Sequence, residues 1–219
     1  MNFIAASVEL RSPIADPINA YGFEYCGADA VVPAGSGASE VQLRLLCYNA
    51  EGGKLTSFKN WKPGTRALIT GYINFSDDPA KPLDVVVTTI EPNIPSNMYC
   101  NQVVLGNAYF ASNDIKENKV GSITTRIGTT LDNSDVKTWL MLETHKSREK
   151  KLRERHRQGR PICVHGYLRE WRKDDSDSPY RAIVSNDFTT RKDREQTKKS
   201  PSTGGTASGY DEIDPAPEY

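Results

Sequence analysis

PGTRALITGYI runs from Pro63 to Ile73, and 95 residues later the chain reads QGRPICVHGYL, from Gln158 to Leu168. Each copy holds a glycine, six further residues, a second glycine, a tyrosine and a branched aliphatic. The alternating apolar residues around the second glycine mark a strand. Glycine inside a strand is costly unless the chain bends or bulges there. Alone the pattern is weak. Its repetition decides whether the chain is built once or twice.

Sliding the 219-residue chain by 95 extends the match in both directions. Val41–Gly64 lies over Val136–Gly159 without a gap, each an alternating strand, a polar turn, a helix-compatible segment and a glycine. FIAASVELRSP meets MYCNQVVLGNAY, with Val8 over Val103 and Leu10 over Leu105, and LDVVVTTIEP meets SPYRAIVSND. Four blocks at one offset indicate an internal duplication. The expected units are 1–92 and 97–190, with a linker at 93–96 inside the proline-bearing EPNIPSNMY. A tail at 191–219, charged and then rich in Ser, Thr and Gly, is expected to be disordered. Each unit shows five strand candidates with a helix candidate between the third and fourth, LTSFKNW in one and SREKKLRERHRQG in the other. The expectation is all-β: two tandem OB-folds, each a small five-stranded barrel with a short helix. A Greek-key sandwich is the alternative, but usually has about seven strands. In a barrel, Gly71 and Gly166 mark the bend of the fourth strand.

Composition agrees with a soluble protein, 37% hydrophobic and 26% charged. MNFIAASVEL lacks the basic region and apolar stretch of a secretory leader, and no run approaches the ~18 apolar residues of a membrane span. A cytoplasmic location is expected. The four cysteines, Cys26, Cys47, Cys100 and Cys163, form no CxxC pair, and the three histidines join no metal-ligating cluster. No cofactor or metal is expected. Asp77 with Asp78, and Asp174, Asp175 and Asp177, stand beside Ser or Pro and read as solvated turns. No nucleotide-cradling loop or catalytic triad order is present, so the chain reads as a binder rather than an enzyme.

The formal net charge is zero, yet residues 137–173 carry 12 Lys and Arg against 4 Asp and Glu. Such a patch attracts a polyanion whatever the total charge. Within it, Tyr167, Arg169 and Trp171 share one strand face by even spacing, with Arg172 and Lys173 beyond and Arg181 on the return strand. Rings interleaved with cations suit single-stranded nucleic acid, because bases stack and phosphates pair. Arg126 is a further phosphate candidate and Trp139 a stacking or core residue. Tyr167 is also open to a structural role, since Tyr72 holds the matching place in a less charged unit. The basic helix candidate is read as a solvated helix, with Glu149 able to pair with Arg153. In the first unit, Trp61 and Tyr72 are the stacking candidates, and Tyr21, Phe23 and Tyr25 form an alternate-residue stripe.

The second unit resembles the bacterial single-stranded DNA-binding protein family. CNQVVLGNAY is similar to that family's first strand, through Asn101, Val103, Leu105 and Gly106. KTWLMLE resembles its third-strand motif around a tryptophan, here Trp139, and Leu152, Gly159, Val164, Gly166 and Leu168 match its helix, turn and fourth strand. The resemblance implies sequence-independent binding of single-stranded DNA in replication, recombination or repair. It makes Trp139 and Trp171 stacking residues, with Arg126 and Lys137 near the path. Two folds per chain imply a homodimer displaying four. In the family an acidic tail docks replication and repair proteins; here YDEIDPAPEY keeps Asp211, Glu212, Asp214, Glu218 and Tyr219 without the usual ending. Two other readings stay open: an OB-fold accessory protein acting through protein contacts, and an RNA binder, since stacking does not read the sugar.

Overall fold

The computed structural model describes residues 2–15, 18–20, 23–34, 39–48, 58, 61–74, 81–117, 121–130, 137–171 and 179–190. Its strands are β1 (Asn2–Leu10), β2 (Ile18–Ala20), β3 (Phe23–Val32), β4 (Val41–Tyr48), β5 (Arg66–Asn74), β6 (Leu83–Pro92), β7 (Asn101–Glu117), β8 (Ile123–Thr130), β9 (Lys137–Thr144), β10 (Pro161–Trp171) and β11 (Tyr180–Thr190). A 3-10 turn at Lys146–Arg148 leads into the helix α1 (Glu149–Arg155). The tail expected to be disordered, and with it Asp211, Glu212, Asp214, Glu218 and Tyr219, lies outside the described residues.

Pairing closes two barrels of one design. In the second, β7 pairs with β8, β8 with β9, β9 with β11 in parallel, β11 with β10, and β10 back with β7. In the first, β1, β3, β4, β6 and β5 close in the same order, with the short β2 added beside β3. Both are OB-folds, in tandem. The helix expected between the third and fourth strands is α1 in the second barrel. In the first, most of that segment lies outside the described residues, apart from a helical, buried Phe58.

The repeated motif now has a physical meaning. Its first glycine turns the chain into the strand: Gly64 and Gly159 sit at φ 85° and 78°, and their amides donate to Leu10 O and Phe110 O. That backbone region is penalised for residues with a β-carbon. Its second glycine is a bulge. The ladders shift register between Thr70 and Gly71 and between His165 and Gly166. A β-carbon would lie 2.3 Å from Val86 O at Gly71 and 2.1 Å from Val184 O at Gly166. The inner positions of β10, Ile162, Val164 and Leu168, are buried, while the outer ones meet solvent.

The constant offset of 95 needs correction at three strands. On β4 it would set Arg44 over Trp139, but Arg44 pairs with Asp84 as Met141 pairs with Ala182, so Gln42 takes the place of Trp139. Ile4 pairs with Gly71, and Val103 with Gly166, so Val103 corresponds to Ile4 rather than Val8. Tyr72 faces Val86 and Tyr167 faces Val184, so Val184 takes the place assigned to Arg181. The hairpin of the second barrel is longer, and apolar alternation in β6 and β11 tolerates the wrong registration.

The two barrels are joined by β1 and β7, antiparallel from Asn2 opposite Leu105 to Ala6 opposite Asn101. Ile4 faces its own counterpart, Val103, and the neighbouring pairs are related symmetrically about it. The contact is therefore isologous, like that of a twofold dimer, within one chain. With the pairings on either side it makes a continuous path β11-β10-β7-β1-β5-β6.

Gly71→Ala or Gly166→Ala forces a methyl group onto a carbonyl oxygen, and should cost about 1–3 kcal/mol in urea unfolding. Gly64→Ala and Gly159→Ala meet nothing within 4 Å and should cost about 1–2 kcal/mol through φ alone.

Candidate nucleic-acid interface

Strand alternation sets the outer face of the second barrel. Arg126 pairs with Met141, Met141 with Ala182, and Ala182 with Arg169, making one row across β8, β9, β11 and β10. The adjacent row begins at Tyr109, which faces Gly128, itself opposite Trp139. Continuing the β9–β11 register by two residues brings Trp139 level with Tyr180, which pairs with Trp171. Tyr109, Trp139, Tyr180 and Trp171 thus occupy one line around the barrel. The Tyr109 ring lies over Gly128, where an added β-carbon would meet it at 2.7 Å.

At the hairpin end the rings are assembled into a stack. Trp171 and Tyr180 lie 6.1 Å apart between centroids, inclined by 18°. The Arg169 guanidinium sits 5.5 Å from the centre of the Trp171 ring, a favourable cation–π position. Arg169 also donates to Glu143 at 3.2 Å, which orients it. Tyr180 is 42% exposed, so the stack ends in an accessible ring. Tyr167 shares the outer face and is half-buried. Arg126 is exposed beside a shallow cleft lined by Ser112, Lys116 and Thr124.

Two candidates are corrected. Arg181 is not on this face: beside an outward Tyr180, alternation turns it inward, and its side chain is 7% exposed against Glu170. Trp61 is 8% exposed and packs on Phe58 at 5.5 Å, as part of the first barrel's core. It stands three residues before Gly64, as His156 stands before Gly159. Tyr72 is 49% exposed, on β5. The backbones of Lys137 and Trp139 are described, their side chains are not; Arg172 and Lys173 lie outside the described residues. Of the aromatic stripe, Tyr21 is outside as well, and Tyr25 is buried with its ring edge-on to Tyr48. Tyr109 and Tyr180 were not singled out. The signal for Tyr180 was its place opposite Trp171 across the hairpin. For Tyr109 it was a glycine at the facing position.

The same outer rows in the first barrel have different chemistry. Asp29, Arg44, Asp84 and Asn74 stand where Arg126, Met141, Ala182 and Arg169 stand in the second. Arg44 holds Asp84 through two bonds of 2.7 and 2.6 Å. A forked pair of this kind fixes the cation and cancels its charge locally. The next row places Val31 and Gln42 where Gly128 and Trp139 lie. The aligned rings and the exposed Arg126 have no counterpart in these rows of the first barrel, while Arg169 is paired with Glu143 as Arg44 is with Asp84.

The basic helix is largely a structural element. Arg153 pairs with Glu149, as its spacing suggests, and Leu152 enters the core. Arg148 and Lys151 both reach Asp187 at 2.8 Å, and Lys151 lies over Phe188. The Lys151 bond, then the Phe188 amide, hold the Asp187 carboxyl below its ordinary range. The helix stops at Arg155, short of Gly159, because His156 leaves helical geometry to pack on Phe110 and meet Thr125. Thr125 donates its proton to Asp114 O, so His156 Nε2–H donates to Thr125 Oγ1 at 2.8 Å.

Comparison with solved structures gives the fold a close parallel. The single-stranded DNA-binding protein of Thermus aquaticus superimposes with a TM-score of 0.59 at 16% identity, covering 94% of this chain and 97% of that one. A deletion variant of that protein gives 0.58, also at 16% identity, over 88% and 95% of the two chains. At this identity the likeness is one of fold. No protein-family model matches the sequence, and no curated protein does.

Burial lowers the His156 pKa from 6.5, against a smaller opposing pull from Asp114. The unfolded chain therefore takes up the proton first on acidification. The stability from neutral His156 is complete above pH 6.5 and is lost as pH falls toward the folded value. Asp187 adds its loss only below the ordinary carboxylate value of 3.8. His156→Gln keeps a donor for Thr125 and should flatten the change in melting temperature between about pH 7.5 and about pH 5; Asp187→Asn should leave that range unaltered.

Proposed function

We propose that the chain binds single-stranded DNA without sequence preference, chiefly through the second barrel. The observation that carries this is the line of Tyr109, Trp139, Tyr180 and Trp171 beside the cations Arg126 and Arg169. Bases stack on rings irrespective of identity, for about 1–3 kcal/mol each, while guanidinium groups meet the phosphates. Lys137, Arg172 and Lys173 extend the positive path at their sequence positions. The shared fold of the Thermus aquaticus protein, whose name states its ligand, supports the same reading.

The units are 1–92 and 97–190, and their common barrel order supports an origin by duplication. We further propose that two chains associate as a homodimer and so present four barrels. The outer side of the six-strand path across the barrels favours this. Phe3 stands between exposed Tyr72 and half-buried Val104, an apolar strip crossing the junction of the barrels. Sedimentation at micromolar concentration should give twice the chain mass, and Tyr72→Glu should reduce it. Replication, recombination and repair are the processes that expose such strands. A cytoplasmic, nucleoid-associated location and docking of partner proteins by Asp211, Glu212, Asp214, Glu218 and Tyr219 belong to the same reading. Binding needs no catalytic step, and the chain is proposed to be a non-enzyme.

The direct test is a tryptophan-fluorescence titration with oligo-dT, oligo-U and duplex DNA at two salt concentrations. Oligo-dT should quench and bind most tightly, with affinity falling as salt rises. Trp171→Ala should weaken it about tenfold or more, and Trp61→Phe should not. Equal, feeble binding to all three ligands would favour an accessory protein working through protein contacts; preference for oligo-U would favour RNA.

A further inference from the structure

The hairpin that carries the Trp171–Tyr180 stack runs beyond the ladders of its barrel, held to it on the outer face by Arg169 and Glu143. The β10–β7 ladder runs from Pro161 to Gly166, and the β11–β9 ladder begins at Ala182. Asn101 continues the first by one step, bonding both the amide and the carbonyl of Leu168. Past these points Arg169–Trp171 and Tyr180–Arg181 pair only with each other among the described ladders. A two-stranded ribbon is marginal in water. Its angle to the barrel has to be fixed by something else.

The inner face of the ribbon supplies a second hold. Glu170 lies opposite Arg181, directly behind the stacked rings. Their side chains are 4% and 7% exposed, and Arg181 Nε donates to Glu170 Oε2 at 2.8 Å. Burying two charges is costly, and is tolerated when their remaining hydrogen-bonding capacity is met. Here the other barrel meets it. Arg181 Nη1 donates to Lys81 O at 2.6 Å, and Glu170 Oε2 accepts from the Gln42 amide at 3.3 Å. Lys81 precedes β6 and Gln42 belongs to β4, so both partners are main chain of the first barrel. A bond to main chain ties the ribbon to a strand rather than to a movable side chain.

We infer that Glu170 and Arg181 are positioning residues, which brace the stacking hairpin of the second barrel against the first. The first barrel, whose own face is neutralised by Arg44 and Asp84, then contributes to binding through the hairpin's geometry. This rests on the reading that the stack receives bases.

The test uses the full chain with Glu170→Leu and Arg181→Met together, which removes both charges and keeps the volume filled. Circular dichroism should stay that of a folded protein, and affinity for oligo-dT should fall about tenfold. The slope of log affinity against log salt should not change, since no phosphate contact is lost. Undiminished affinity would overturn the brace, and so would a slope shallower by about one, which would make Arg181 a phosphate contact. Hydrogen exchange without DNA gives an independent reading: the Gln42 amide and the Tyr180–Arg181 amides should both exchange faster in the double variant. Faster exchange in the hairpin alone would overturn the bridge between barrels. If the double variant does not fold, Arg181→Lys serves, since an ammonium cannot span both acceptors as the fork does; wild-type affinity and exchange there would overturn the brace. Should Trp171→Ala bind oligo-dT as wild type does, the stacking reading fails, while the exchange result still decides the brace.

Discussion

A carbonyl oxygen occupies the space of a β-carbon at Gly71 and again at Gly166. That close approach lets the fourth strand of each barrel bulge and coil, so that it shifts register and still pairs with a neighbour on each side. Everything placed on the outer face follows from it. Once the bulge sets the register, Tyr167, Arg169 and Trp171 point outward, and Leu168 and Glu170 point inward. The tyrosine of the repeated motif is scaffold in address and surface in character, half-buried in one barrel and exposed in the other.

The same frame carries two kinds of surface. In the second barrel, the strands at the outer rows bear rings, a small residue under a ring, and arginines. In the first, Arg44 and Asp84 satisfy each other, and the positions matching Gly128 and Trp139 hold Val31 and Gln42. A forked ion pair with Asp84 nearly buried fixes local geometry, but offers little positive field to a phosphate. The division of labour is thus aromatic as much as electrostatic, since Arg169 is itself paired with the buried Glu143. It agrees with the charge excess in 137–173, although part of that charge is spent inside the protein. Arg148 and Lys151 hold the helix to Asp187, and Arg153 pairs with Glu149 within it.

Much of the fold was legible because its governing features are local. Gly-x6-Gly-Tyr encodes a left-handed turn and a bulge, and both are backbone demands that glycine alone meets cheaply. The outer face of β10 was legible from period-two alternation. The residues misjudged were those whose setting is not local. Trp61 sits beside basic residues in the chain, yet a core position opposite Phe58 claims it. Arg181 follows an outward tyrosine, so alternation predicts an inward side chain, but it takes Glu170 and the other barrel's main chain together to make such a position tolerable for an arginine. The slipped correspondence of β1 with β7 has a similar origin. Their apolar alternation fits several registers, and the twofold pairing of Ile4 with Val103 selects one.

The central claim is that single-stranded DNA lies on the aromatic line of the second barrel. Photo-crosslinking of full-length protein to oligo-dT, followed by mass-spectrometric location of the adducts, tests it most directly. Adducts are expected at Trp171, Tyr180, Trp139 and Tyr109. Adducts confined to Tyr48 and Tyr72 of the first barrel, with the second barrel unmarked, would contradict it.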